Sequence, residues 1–385
     1  MIDRHIHDTT LALAKALIAR RSITPDDDGC LEIVSQRLTA IGFACERIDR
    51  GGVANLWATH GSGAPVIGFA GHVDVVPPGP VDQWTSDPFA PVDRNGWLVG
   101  RGAADMKGSV AAMVTAIERV AADAPSHRGT IALLLTSDEE GDATDGTVAI
   151  VDTLRARGQT IDACLIGEPT SVSQLGDTIK NGRRGSLSGA LTVRGVQHHI
   201  AYPERGRNPI HAAVPALAEL ITTEWDEGNA YFQPTSFQIS NVHAGIGAHN
   251  VAPAAMDVMF NFRFATASTD DELKARVDEI LTRHGLDYDV RWTLSAAPFV
   301  TGRGALVDTL TRVVLGVTGT APQLSTSGGT SDGRFLAAIA REVAELGPLN
   351  ESIHKVDERV SIADLERLSV IYEQTLVSLL EGRSS

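Results

Sequence analysis

The sequence predicts an α/β fold carrying an inserted α+β block, and three observations lead to it. Short apolar runs, VIGFAG (66–71), TIALLLT (130–136) and DACLIGE (162–168), alternate with longer helical stretches such as SVAAMVTAIERVA. Unbroken apolar strands are those buried on both faces, so the pattern describes a sheet covered by helices on either side. Near KNGRRGSLSG the pattern changes to two-residue alternation interleaved with amphipathic helices, and after SAAPF the first pattern resumes. The block between reads β-α-β-β-α-β, the order of a small ferredoxin-like unit. Residues 1–180 and 295–385 are thus expected to form one larger domain, with 181–294 inserted between its halves.

Each element follows from its own pattern. Helical periodicity runs from Thr10 to Arg21 and ends at the polar TPDDDG loop. Within the insert LSGALTVRG alternates, PIHAAVPALAELI is helical, and TSFQISNVHA and MDVMFNFRFA alternate again. DDELKARVDEILTRHG is an amphipathic helix with an acidic first turn, which suits the helix dipole. DYDVRWTL closes the block, and SIADLERLSVIYEQTLVSLL is the last helix. There is no internal repeat and no low-complexity segment.

Composition narrows the partners. The formal net charge of −15 over 385 residues, without a long basic run, disfavours nucleic acid and anionic membranes and leaves a small molecule as the expected ligand. No stretch is apolar for the roughly 18 residues a membrane helix needs, and MIDRHIHDTTLALAKALIAR lacks a signal-peptide pattern, so a cytoplasmic protein is expected. Cys30, Cys45 and Cys164 are odd in number and widely spaced, as buried free thiols are, and form no C-x-x-C pair. A metal would have to be held by histidine and carboxylate. GSGAP and SGGTSDG are glycine-rich but lack the G-x-x-x-x-G-K spacing of a phosphate loop.

Carboxylates gather where buried strands end. LLLTSDEEGD runs from an apolar strand into Asp138, Glu139, Glu140 and Asp142; GFAGHVDVVPPG places His72 and Asp74 after another; GRGAADMKG carries Asp105; LIGEPT carries Glu168. If these strands are neighbours in a parallel sheet, the side chains converge at one edge. So many anions in a partly dry site repel one another unless cations neutralise them. Histidine with carboxylate oxygens suits zinc, and two such ions about 3.5–4 Å apart are a recurring device in which a shared water attacks a carbonyl. The other histidines, His5, His7, His60, His127, His243 and His284, read as surface or structural residues.

These motifs, with SITPDDDGC, TSDEEGDATDGT, GEPTS, NGRRGSL, GVQHHIAYP, NPIH, GGTSDGRF and GPLNESIHKVDE, span nearly the whole chain in a specific order. In them the chain resembles the zinc aminoacylase and carboxypeptidase superfamily with co-catalytic metals. The resemblance implies a zinc-exopeptidase-like catalytic domain with a mixed, mainly parallel sheet, and an inserted domain that makes a homodimer. It implies two zinc ions, with cobalt or manganese able to fill the same ligands. His72 and Glu168 would bind one ion, Glu140 and His354 the other, and Asp105 would bridge them. Asp74 would orient His72 by accepting its other ring N–H, and Glu139 would be the general base. Asp138 and Asp142 are expected only to shape the turn or face solvent.

His199 matches a histidine that, in the superfamily, reaches across the dimer into the neighbouring site and stabilises the oxyanion. Two departures stand beside it, Arg194 in place of a histidine and His198 in place of a glycine, so the choice between His198 and His199 rests on the register of AYP. For substrate the resemblance points to Arg183, Ser186, Tyr202, Asn250, Arg263, Gly329, Thr330, Arg334 and Asn350. Forks, hydroxyls and backbone N–H groups suit a ligand with several carboxylates. His249 stands where the superfamily often has a paired asparagine. The implied reaction is amide hydrolysis of N-succinyl-LL-2,6-diaminopimelate on the route to lysine. The alternatives are deacylation of another N-acyl amino acid such as N-acetylornithine, or a non-catalytic ligand-binding relative.

Overall fold

The structure, a computed structural model, describes residues 4–382, with side chains from Thr10 onward. The chain divides into two compact units: one runs through Gly182 and continues in Val300–Ser325 and from Ser331, the other is Arg183–Phe299 with Thr326–Thr330.

The first unit is built on an eight-stranded mixed sheet in the order Ala44–Arg47, Asn55–Ser62, Gly129–Thr136, Val66–His72, Ile161–Ile166, Ala340–Glu345, Thr178–Lys180 and Gln323–Ser325. The four strands from Gly129–Thr136 to Ala340–Glu345 run parallel. Their unbroken apolar sequence has the expected cause, because successive side chains point to opposite faces. In Gly129–Thr136, Ile131, Leu133 and Leu135 enter the main core while Ala132 and Leu134, on the other face, are equally buried. Helices Lys107–Asp123 and Ile362–Glu381 pack together and on the strand Val66–His72, and helix Thr147–Ala156 packs on Asn55–Ser62 and Gly129–Thr136. Lys107–Asp123 is buried along most of its length, which is why its sequence is apolar almost all round. None of the described helices is long and apolar enough to cross a membrane.

The second unit is a four-stranded antiparallel sheet, Ser236–Ala244, Ala255–Phe264, Gly185–Arg194 and Tyr288–Ala296 in spatial order, with helices Pro209–Thr222 and Asp270–Arg283. This is the β-α-β-β-α-β arrangement that the alternation implies. Leu187, Leu191, Phe260 and Phe262 from the strands and Ala216, Leu220, Val277 and Leu281 from the helices share one core. Local signals fix both helix starts. Asn208 caps Ile210 N ahead of Pro209, and Thr269 with Glu272 forms a reciprocal capping box.

Candidate metal centre

Three adjacent strands deliver the site. Gly129–Thr136, Val66–His72 and Ile161–Ile166 are neighbours, so the residues just past their carboxyl ends, Glu139 and Glu140, His72, and Glu168, are brought side by side. Asp105 comes from the turn before helix Lys107–Asp123, and His354 from the loop after Ala340–Glu345.

His72 is 1% exposed. Its Nδ1 lies 2.9 Å from the backbone carbonyl of Asp74. A carbonyl only accepts, so Nδ1 carries a hydrogen and Nε2 is the nitrogen turned toward the carboxylates; burial opposes a charged ring, but Asp105 and Asp74 raise it well above its ordinary value. Nε2 faces Asp105 Oδ1 at 3.2 Å and Glu168 Oε1 at 3.8 Å. On the far side of Asp105, Oδ2 is 3.3 Å from His354 Nε2, which also meets Glu140 Oε1 at 2.9 Å. One carboxylate thus spans two imidazoles, each accompanied by a glutamate. Among the described residues, two groups have donor atoms within 4.8 Å of one another: His72 with Asp105 and Glu140, and His72 with Glu139 and Glu168.

The electrostatics demand positive charge here. Burial works against ionisation of Asp105, yet hydrogen bonds with His354 and His72 hold its carboxyl well below the usual range. The carboxylates raise His354 in turn, up to about 10. Burial and the neighbouring Glu168 push Glu139 well above the usual carboxylate range, the direction that nearby cations would reverse. Two histidine nitrogens, once their protons are displaced, and four carboxylates converge around buried His72 and Asp105, with His354 about half exposed, and fit divalent metal by donor type and arrangement.

The surrounding hydrogen bonds differ in one respect from the sequence expectation. The Asp74 carboxylate lies 3.6 Å from His72 Nδ1, and the ring hydrogen goes to the Asp74 carbonyl instead. The carboxylate accepts the backbone N–H groups of Glu139 and Glu140, at 3.3 and 3.1 Å. Asp74 therefore ties two strand ends together through the amides of Glu139 and Glu140, charge-assisted bonds of the stronger kind. Asp138 is buried and accepts from Thr144 N and Asp145 N, which shapes the turn, while Asp142 is exposed. His354 has φ 60, in the left-handed region that few non-glycine residues adopt.

The remaining predicted residues distribute between the units. Arg334 and Asn350 belong to the first; Arg334 stacks on Phe335, and Asn350 N donates to Ser171 O. Arg183, Ser186, Tyr202, Asn250, Arg263, Gly329 and Thr330 belong to the second. There Arg183 Nη1 reaches Gly329 O at 3.2 Å, and Ser186 faces Arg263 across neighbouring strands. His198 and His199 are separated by their bonds. His198 Nδ1 donates to Val196 O, and the ring lies against Gly206, where any side chain would collide with it. His199 Nδ1 accepts from Ala201 N at 3.1 Å, which leaves the ring hydrogen on Nε2. The Asn250 side-chain amide lies 3.5 Å from that Nε2, where its oxygen rather than its NH2 would accept the ring hydrogen, and Tyr202 packs beside the ring. Cys30 and Cys164 are buried free thiols, whereas Cys45 is half-buried. His60 and His127 pair at 2.8 Å and His284 pairs with Glu219, whereas His5 and His7 lie outside the described side chains.

Sequence reading passed over other buried charges beside the site. Asp332 accepts from Thr147 Oγ1 at 2.6 Å, with burial raising its carboxyl to about 6, and Glu358 is fully buried against Arg101. In sequence neither differs from the exposed acids around it.

A fold of this kind with such a site defines a metal-dependent hydrolase, and the comparisons agree. Residues 68–378 match the profile of peptidase family M20/M25/M40, and the chain belongs to that family. It is 59% identical over 373 residues to the succinyl-diaminopimelate desuccinylase of Dechloromonas aromatica, covering 97% of this chain and 99% of that one. Among solved structures, aminopeptidase PepT from Bacillus cereus superposes with TM-score 0.77 at 20% identity, over 96% of this chain and 99% of that one. The YXEP protein of Bacillus subtilis, described as a dinuclear metal-binding M20 peptidase, superposes with TM-score 0.74 at 16% identity, over 98% and 99%.

Proposed function

We propose that the protein is a two-metal amidohydrolase that removes succinate from N-succinyl-LL-2,6-diaminopimelate, on the route to diaminopimelate and lysine. The observation that carries the reading is Asp105, whose two oxygens each face a different histidine, every histidine having its own glutamate. The desuccinylase of D. aromatica, similar nearly end to end, supports the substrate, and the dinuclear description of the B. subtilis protein supports the pair of ions. Zinc is the metal proposed, from its affinity for mixed imidazole and carboxylate donors; cobalt or manganese fit the same set.

His72 and Glu168 would hold one ion, Glu140 and His354 the other, with Asp105 shared. When bound, such ions polarise an amide carbonyl and make water acidic enough to attack it near neutral pH. Glu139 is beside these ligands but outside both pairs. It takes a proton from the attacking water and gives it to the departing amine, a transfer worth typically about 10²–10⁴ in rate. Asp74 keeps Glu139 and Glu140 in register through their backbone amides. His199 offers Nε2–H to the developing oxyanion, and in this reading a homodimer partner donates it. The arginines 183, 263 and 334, with Ser186, Tyr202, Asn250, Gly329, Thr330 and Asn350, hold the substrate's carboxylates. A cytoplasmic location accompanies the pathway and agrees with three unpaired cysteines.

Glu139→Gln tests the assignment. Turnover of the succinyl substrate should fall by at least about 10²-fold with metal content unchanged. A variant keeping most of its kcat would remove Glu139 from the proton transfer.

A further inference from the structure

Glu358 is 0% exposed and lies in the last turn of the HKVDE segment that begins with His354. Its carboxylate gathers four donors from one short stretch. Oε2 accepts Arg101 Nη1 at 2.6 Å and Gly102 N at 3.1 Å, and Oε1 accepts Ala104 N and Asp105 N, each at 3.0 Å. The main chain adds a fifth link, from Gly100 N to Glu358 O at 2.9 Å. Arg101 is itself held, its guanidinium stacked on Trp84 with a further bond to Pro77 O.

Burial alone would favour a protonated Glu358, but every partner of its two oxygens is an N–H, and a proton on either would confront a donor. The carboxylate form fits and is stabilised by charge-assisted bonds. Without it, the amides of Gly102, Ala104 and Asp105 would be buried without those acceptors, which the turn could relieve only by moving. Gly102, at φ 83, could not be rescued by another residue, since a Cβ there would press on Val75.

We propose that Glu358 is a positioning residue for the metal-bridging carboxylate: it joins the segment bearing His354 to the turn bearing Asp105, so that Asp105 meets both histidines at once. The inference rests on the two-metal reading above and assigns Glu358 no contact with substrate. Asp105 spans His72 and His354 only if its own backbone is fixed relative to the His354 loop, and Glu358 supplies that fixed relation from the His354 side.

The test compares the wild-type protein with Glu358→Gln and with Thr115→Val, which removes a buried hydroxyl bonded to Thr10 and Ser369 in the same unit. Hydrogen exchange in the metal-free proteins reads the turn, and equilibrium zinc binding with the visible spectrum of the cobalt-loaded proteins reads the site. Glu358→Gln should speed exchange of the Gly102–Asp105 amides at least about tenfold, weaken metal binding about 10–100-fold and alter the cobalt spectrum, as changes behind a metal ligand do. Thr115→Val should leave all three unchanged while lowering the melting temperature. Should the glutamine variant not fold, Glu358→Asp, one methylene short, should show the same losses to a smaller extent. Wild-type metal affinity and spectrum in a folded Glu358 variant would overturn the proposal, as would unchanged exchange in the turn. A wild-type chain that takes up no metal would sink the two-metal reading instead, and the exchange result would still decide whether Glu358 holds the turn.

Discussion

At the scale of single residues, hydrogen bonds decide which of two adjacent histidines is available. His198 is committed to Val196 O, whereas His199 accepts from Ala201 N and so presents a donor at Nε2. His199→Ala should therefore lower kcat by about 10²–10³, the loss expected for one oxyanion donor, while His198→Ala should change it by less than about threefold. Steady-state kinetics on the two variants check this, and the reverse order would reassign the donor. The register of AYP already pointed to His199, but its tautomer was not legible, because it is set by a backbone amide two residues on. His72, Glu139, Glu140 and Glu168 stood out in the sequence because each ends or follows an apolar run, and Asp105 because it sits in a glycine-rich turn ahead of a helix. Glu358 did not, since in NESIHKVDE it stands among Glu351 and Asp357 and only its distant contact with Arg101 and Gly102 sets it apart.

At the scale of elements, the strands read most clearly where burial is two-sided, and the insert where alternation is strict. Short strands such as Trp97–Val99 with Arg359–Ser361 escaped the sequence reading, because three residues carry no period and their pairing joins segments far apart. The loop between helix Pro209–Thr222 and strand Ser236–Ala244 shows how the insert holds its irregular parts. Asp226 there is part-buried, which opposes ionisation, but it accepts from the Thr235 hydroxyl and amide, Ser268 and Gly228 N, and its carboxyl is held below the usual range. A depressed folded-state pKa adds stability that is present above the ordinary carboxylate value and lost as pH falls through the folded value. Asp226→Asn should cost about 1–2 kcal/mol at pH 7, a modest figure given its partial exposure, with the difference from wild type shrinking below about pH 4. Chemical denaturation at pH 7 and pH 3.5 measures it. A constant difference across that range would show that the charge is not what the loop uses.

At the scale of the whole molecule, order and spacing of the motifs carried the family and the fold, and family membership follows from the match over residues 68–378. The proposed homodimer with exchanged His199 has a direct consequence. Glu139→Gln and His199→Ala variants, each inactive alone, should regain about a quarter of wild-type activity when their subunits are mixed randomly, because half the dimers are mixed and each then carries one intact site. Mixed subunits that stay inactive would place His199 in its own chain's site.

The central claim is that these ligands hold metal for hydrolysis of a succinyl amide. It is tested most directly by following release of free primary amine from N-succinyl-LL-diaminopimelate and from N-acetylornithine, after chelation and again after zinc is restored. The account predicts no release in the chelated protein and zinc-restored release from the succinyl substrate alone. Zinc-dependent release confined to the acetyl substrate would contradict the substrate assignment, and release that survives complete chelation would contradict the metal centre.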